Sequence, residues 1–171
     1  MSAPTEEVLA RRAGVYMQYH GISLDEVHRA RAVIEPPAVR IVAERASPAD
    51  ADMLQALAEE TREVIQDRTA FRAAALNFHR AIVDLSRNKT LMVFASMIHG
   101  VIEANATRYQ TATASRYRQG AERHTEHLQV IELIRAGRAD EAERLWAEHL
   151  ELARLVLMKE GGANTLIDLM S

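Results

Sequence analysis

Apolar residues recur every three or four positions along most of the chain, which is the spacing of α-helices that pack one face against a core. Valine and isoleucine follow this spacing and do not alternate with polar residues, as they would in a half-buried strand. The only prolines are Pro4, Pro36, Pro37 and Pro48, and the rest of the chain is rich in Ala, Leu, Glu and Arg, which favour helix. The pattern predicts an all-α domain of about seven helices.

Capping residues mark where several of these helices begin. The first helix is predicted from Thr5 to about His20. The segment Ser23–Glu26 has the form of a capping box, with a hydroxyl at the N-cap and a carboxylate three residues later. Ser47 followed by Pro48 marks a further start, because serine caps well and proline suits the first helical position.

Two segments are predicted to interrupt helices. Pro36 and Pro37 should kink or split their helix near Ile34, because proline lacks an N–H group and its ring clashes with the preceding turn. Residues 110–120 carry no clear apolar stripe, so we expect a break or loop there. Asn88 is predicted to be the N-cap of the helix before that break.

Composition narrows the class of protein. The chain has 171 residues, enough for one domain with a sizeable core, and its net charge of −3 gives no general case for nucleic-acid binding. The absence of cysteine excludes disulfide scaffolds, thiolate metal sites and cysteine nucleophiles. No apolar run approaches the roughly 20 residues that span a bilayer, and the N-terminus lacks the apolar segment of a secretory signal. We expect a cytoplasmic protein without membrane insertion.

Three histidines, His79, His127 and His149, fall within the apolar stripes of three different predicted helices. Each stripe has helical spacing; the residues are Ala75, His79, Ile82 and Ser86, then His127, Val130, Ile131 and Ile134, then Leu145, His149, Leu152 and Val156. Burying an imidazole is unfavourable unless its nitrogens find partners. A divalent metal would satisfy all three rings at once, since neutral imidazole is a good ligand for Zn, Ni, Cu or Fe.

Other interpretations of the histidines remain open. A single inward histidine usually bonds to a carbonyl or hydroxyl group, so all three rings could be ordinary core residues. His124 and His127 are three residues apart and could chelate a metal, although His127 is the better inward candidate. The chain has neither the H-E-x-x-H motif of zinc proteases nor the Glu-x-x-His motif of di-iron bundles. Trp146 is interpreted as a packing residue without a role in the site.

Three segments resemble a known family. They are LDEVHRARAVIEPPAVRIVAERASPAD, NFHRAIVDLSRNKTL and EHLQVIELIRAGRADEAERLWAEHL. They resemble the C-terminal ligand-binding (FCD) domain of GntR-type transcription regulators of the FadR-like subfamily. The resemblance covers about residues 22–158, and it is most specific in the last segment, where 22 positions separate its two histidines.

The resemblance implies an antiparallel bundle of six or seven helices, which in many members holds a divalent metal, often Zn or Ni, facing a small carboxylate effector. The family's ligands are an aspartate and three histidines, and the histidines correspond to His79, His127 and His149. The aspartate position, four residues before His79, is occupied by Ala75. Water or the effector would then complete the coordination of an ion held by three protein ligands, or the histidines would bind the effector without metal.

The resemblance also implies an effector contact and partners. Arg31 takes the place of a family arginine that faces the cavity, and the alternative is a surface ion pair with Glu35. A homodimer is expected, with Leu54, Leu57 and Ile65 as possible seam residues. DNA would be bound only through a winged-helix domain that is absent from this chain.

The expected organisation is a linker helix in residues 1–21, an effector-binding bundle in residues 22–160 and a tail in residues 161–171. The function predicted is an effector-sensing and dimerisation domain of a transcription regulator, with no catalytic residues. The alternatives are a metal-dependent hydrolase-type enzyme on a helical bundle and a metal-free helical interaction module.

Overall fold

A computed structural model of the protein describes residues 5–105, 113–159 and 167. Within these residues the chain forms seven α-helices and no strand. The helices are α1 Glu6–Tyr19, α2 Leu24–Arg45, α3 Pro48–Glu63, α4 Arg68–Leu85, α5 Lys89–Asn105, α6 Thr113–Arg135 and α7 Ala139–Lys159. The predicted all-α class is confirmed, and none of the described helices is long and apolar enough to cross a bilayer.

The predicted helix starts are confirmed. Ser23 and Ser47 each form a complete capping box, in which the serine oxygen accepts from the third helical N–H group and the acidic side chain there accepts from the serine N–H. Asn88 caps α5, because its Oδ1 accepts from the backbone nitrogens of Thr90 and Leu91 at 3.1 and 3.2 Å.

The sequence predicted a kink or a split of the second helix near Ile34, and a split is wrong, because α2 runs continuously through Pro36 and Pro37. The missing N–H groups leave two carbonyls without intrahelical donors, at a cost of about 3 kcal/mol or more. Burial compensates for this cost. Ala38 and Val39 follow the prolines with no exposed surface, and Glu35 before them is buried in a polar network. Tertiary packing therefore overrides the local preference of proline.

The predicted break at residues 110–120 is wrong from Thr113 onward, where α6 begins. Residues 110–112 lie outside the described residues. The predicted tail, residues 161–171, also lies outside them except for Ile167, which is buried against Leu24, Val27 and other residues of α2 and α5.

The core forms around α2, which packs against α4, α5, α6 and α7. Asp25, near the start of α2, pairs with Arg154 late in α7, whereas Arg40, near the end of α2, contacts Glu143 early in α7 at 3.0 Å. These contacts show that the two helices are antiparallel. Leu54, proposed for a dimer seam, instead has no exposed surface and belongs to the core, because its face of α3 is covered by the bundle.

Helix α1 packs against α5 at close range. A Cβ atom placed on Gly100 would overlap the Cβ of Ala10, so the α5 backbone lies directly against the methyl group of Ala10. The glycine is therefore required by packing at this crossing.

Arg87, just after α4, adopts a left-handed backbone conformation with φ of 54°. This conformation costs a non-glycine residue roughly 1–2 kcal/mol, whereas glycine adopts it freely. Arg87→Gly is expected to raise the free energy of unfolding by about 0.5–1 kcal/mol, the strain relieved less the larger entropy of glycine in the unfolded chain. Urea denaturation would measure the change. Arg87→Ala, which removes the side chain but keeps the strain, is the control, and equal stability of the two variants would contradict the prediction.

Candidate metal centre

Three histidine side chains meet inside the bundle, from α4, α6 and α7. His79, His127 and His149 each offer a ring nitrogen, and these nitrogens all lie within 4.8 Å of one another. The ring centroids are 5.1 to 5.5 Å apart. The exposed fractions of the three residues are 5, 1 and 3 %. The three residues chosen from the sequence are therefore brought together and are buried.

The faces that carry them are mostly those predicted. Val130, Ile131 and Ile134 are buried on the same side of α6 as His127. On α7 the buried face differs from the prediction. Leu152 is 54 % exposed, and the residues buried beside His149 are Ala142, Trp146, Leu150 and Arg154. The correction follows from packing, because Trp146 fills the core and turns the helix so that Leu152 points away from it.

His127 has no hydrogen-bond partner on either ring nitrogen among the described residues. Buried polar atoms are nearly always bonded, so an imidazole without any partner requires an explanation. Its ring stacks on Phe78 with centroids 4.1 Å apart and an angle of 9° between the planes. The stacking holds the ring in place and leaves its nitrogens available, which fits a ligand to an ion.

The other two histidines each bond to a carboxylate through Nδ1. His79 Nδ1 lies 2.7 Å from Glu35 Oε2, and His149 Nδ1 lies 2.5 Å from Glu126 Oε2. An ionised carboxylate only accepts hydrogen bonds, so each ring donates from Nδ1 and keeps the lone pair of Nε2. Pairing of this kind is typical of metal-binding histidines.

Glu35 is the centre of the polar network around the histidines, and sequence reasoning missed this role. The residue has no exposed surface. Besides His79, it accepts hydrogen bonds from Arg31 Nε at 2.5 Å, His99 Nε2 at 2.7 Å and Trp146 Nε1 at 2.9 Å. The available signal was a glutamate on the apolar side of its helix, four residues after Arg31.

Trp146 is a core packing residue, as interpreted from the sequence, and it also belongs to the polar network around the histidines, which the sequence did not indicate. Its indole donates to Glu35, as described above, and stacks on His149 with centroids 4.7 Å apart and an interplanar angle of 18°. A buried indole N–H needs an acceptor, and the carboxylate of Glu35 provides it.

Burial controls the protonation of the site. Desolvation lowers the pKa of His79 and His127 well below the usual value of 6.5, and it lowers the pKa of His149 as well. The pKa of Glu35 lies well below its usual value despite burial, which opposes the shift, because Arg31 and the hydrogen bonds from His79 and His99 stabilise the carboxylate. The site therefore presents neutral imidazoles beside an ionised carboxylate.

Two arginines, Arg31 and Arg123, lie near the histidines of the site. Burial, followed by the nearby charges of Arg31 and Arg123, lowers the pKa of His28 to about 3. Arg123 also disfavours the charged form of His127 and His149. The two guanidinium groups add positive charge near the histidines, and the carboxylates of Glu35 and Asp25 oppose their effect at His28.

Three further sequence predictions have mixed outcomes. Arg31 does pair with Glu35, but the pair is buried, with Arg31 only 7 % exposed, so the surface alternative is wrong. Ala75 is half-buried on α4, and no carboxylate joins the three histidines within 4.8 Å among the described residues. His124 is half-buried and lies outside the histidine group, so His127 is the inward member of that pair.

Comparison with known proteins supports a family assignment. The model of the FCD domain family matches residues 26–152 of the chain. The HTH-type transcriptional repressor NanR of Enterobacter sp. (strain 638) is 25% identical over 121 residues, which are 70% of this chain and 45% of the repressor. The chain thus spans less than half the length of this curated relative.

A solved structure is similar in fold. McbR/YncC of E. coli superposes with a TM-score of 0.65 at 19% identity, over 80% of this chain and 68% of that protein. The family match covers most of the chain and includes all three histidines. The chain belongs to the FCD domain family, the effector-binding domains of GntR-type transcription regulators.

Proposed function

We propose that this domain senses a small carboxylate metabolite at a divalent metal held by His79, His127 and His149, with Zn or Ni as the ion. The observation that carries the proposal is that neither nitrogen of buried His127 has a partner among the described residues, together with the convergence of three histidine nitrogens. Three neutral imidazoles with one open position suit either ion. A bound ion would supply a positive charge that attracts an oxygen-donor anion.

The effector is proposed to be an anion because of the charges around the site. Arg31 donates to Glu35 through Nε, and we propose that the two amino groups of its guanidinium bind a carboxylate in a bidentate manner. The position of Ala75, one turn before His79, leaves an ion without a carboxylate from α4. The effector's own carboxylate would fill that position.

The domain is proposed to act by linkage in a longer, homodimeric regulator located in the cytoplasm. An effector that binds one arrangement of the bundle more tightly shifts the population toward it. A DNA-binding domain elsewhere in such a regulator would respond to the shift. The dimer and the DNA contact are proposals drawn from the family, and this chain is proposed to provide only the sensing step.

No enzymatic turnover is proposed. A metal-dependent hydrolase needs a carboxylate or another base free to accept a proton from water. The two carboxylates bonded to the histidines, Glu35 and Glu126, already accept hydrogen bonds from them. The buried site is better suited to holding a ligand than to turning it over.

Replacing His127 and His149 together by alanine is expected to abolish metal binding, because only one ligand would remain. Elemental analysis of purified protein, after incubation with Ni²⁺ and gel filtration, measures the stoichiometry. His124→Ala is the matched control, one turn earlier on α6 and outside the group, and it should retain about one ion per chain. Retained stoichiometric metal in the double variant would refute the site.

Small carboxylates are expected to raise the melting temperature only when metal is present, because a ligand that binds the folded state stabilises it by mass action. At a hundredfold excess over Kd the gain is about 2.7 kcal/mol, or several degrees for a domain of this size. Differential scanning fluorimetry with acetate, succinate and citrate, each with Ni²⁺ or with chelator, tests this. Equal shifts in both conditions would indicate binding that does not depend on the ion.

Metal affinity is expected to change little between pH 7.5 and pH 6.0. Protons compete for ligands near and below the pKa, and burial lowers the pKa of His79 and His127 well below 6.5 and lowers that of His149 as well. Three histidines with the ordinary value would lose roughly fiftyfold in affinity over this interval. Calorimetric titration with Ni²⁺ at both pH values distinguishes the cases, and a loss near that size would show that the ligands titrate normally.

A further inference from the structure

Glu35 accepts hydrogen bonds on both carboxylate oxygens from four side chains among the described residues. Oε1 takes Arg31 Nε at 2.5 Å and His99 Nε2 at 2.7 Å, and Oε2 takes His79 Nδ1 at 2.7 Å and Trp146 Nε1 at 2.9 Å. A carboxylate has about four acceptor positions, so its capacity is filled. Every neighbouring group must therefore present a hydrogen to it.

This requirement determines which nitrogen of each neighbouring histidine carries the proton. A neutral His79 must be protonated on Nδ1, which leaves the lone pair on Nε2. A neutral His99 must be protonated on Nε2 instead, because that nitrogen faces Oε1. The same carboxylate thus selects opposite tautomers in two rings, and only the tautomer of His79 can bind a metal through Nε2.

A second ligand depends on Glu35 indirectly. The hydrogen bond from Nε1 holds the indole of Trp146, and the indole stacks on His149 at 4.7 Å. All of these groups are buried, with Glu35 and Trp146 having no exposed surface. Packing leaves little room for either ring to adopt another orientation.

We propose that Glu35 is the positioning residue of the metal centre, which fixes the tautomer of His79 and the orientation of the indole against His149. This inference rests on the proposed metal site. Glu35 does not itself join the group of potential ligands. Its effect reaches an ion through His79, because a carboxylate bonded to the far nitrogen orients a ligand ring and raises its basicity.

Glutamine at position 35 would present one oxygen and one NH₂ group in nearly the same volume. Arg31 only donates, so the amide oxygen is expected to face it and to keep the position of Oε1. The NH₂ group would then face Nδ1 of His79, which can accept only if its proton moves to Nε2. The ring would lose the lone pair that a metal needs.

The test uses protein labelled with ¹⁵N in histidine, in which long-range ¹H–¹⁵N spectra report the tautomer of each ring without metal. The metal-free wild type is expected to show His79 and His149 protonated on Nδ1 and His99 protonated on Nε2. In Glu35→Gln the signal of His79 should change to the Nε2-protonated pattern, and Ni²⁺ affinity should fall 10- to 100-fold. Glu126→Gln is the matched control, since Glu126 bonds only to His149 of the three ligands, and it should leave the tautomer of His79 unchanged.

A structural role alone would lower stability without changing the tautomer. Folded Glu35→Gln protein that keeps Nδ1-protonated His79 and wild-type Ni²⁺ affinity would overturn the proposal. If that variant does not fold, the wild-type spectrum decides, because Nε2-protonated His79 overturns the proposal and opposite tautomers in His79 and His99 support it. Wild-type protein that binds no Ni²⁺ would refute the proposed function instead, whereas wild-type binding with an unaffected Glu35→Gln variant refutes only the positioning role.

Discussion

The site depends on the hydrogen bonds that the buried carboxylate of Glu35 accepts from its neighbours. Moving an ionised group out of water is strongly unfavourable unless several donors replace its hydration. Here the donors come from α2, α4, α5 and α7, so the carboxylate is stabilised only when four helices are correctly placed. The placement of these four helices therefore both stabilises the charge of Glu35 and positions the residues around the histidines.

The three histidines are supported in different ways. His79 and His149 each bond to a carboxylate, whereas His127 is held by stacking on Phe78. In each of the two bonded rings Nδ1 is hydrogen-bonded to a carboxylate and Nε2 can bind a metal. In the stacked ring of His127 either nitrogen can bind a metal. Hydrogen bonds thus place two of the rings and stacking places the third, whose nitrogens have no hydrogen-bond partner among the described residues.

Much of the fold was accessible from the sequence, because capping residues and helical periodicity act locally. Ser23, Ser47 and Asn88 began helices where predicted. The histidine group was also accessible, since each ring lay on an apolar stripe. The continuity of α2 through Pro36 and the direction of Leu152 were not, because both depend on contacts with other helices.

The missed part of the site has one cause. Glu35, His99 and Trp146 come from positions far apart in the chain, and each has an ordinary local explanation as a surface acid, a helix residue or a packing aromatic. Only their meeting in space shows that one carboxylate serves all three. Periodicity can show that a residue points inward, but it does not identify the hydrogen-bond partner that the residue finds there.

The close crossing of α1 and α5 has a mechanical consequence. Gly100 follows His99 directly, and at Gly100 the two helices meet with backbone against Ala10. Long side chains at a helix crossing can absorb small shifts by changing rotamer, but glycine and alanine have no rotamer to change. A displacement of α5 along its axis is therefore expected to displace α1 in the same direction. The position of the first helix then depends on the position of the helix that contributes His99.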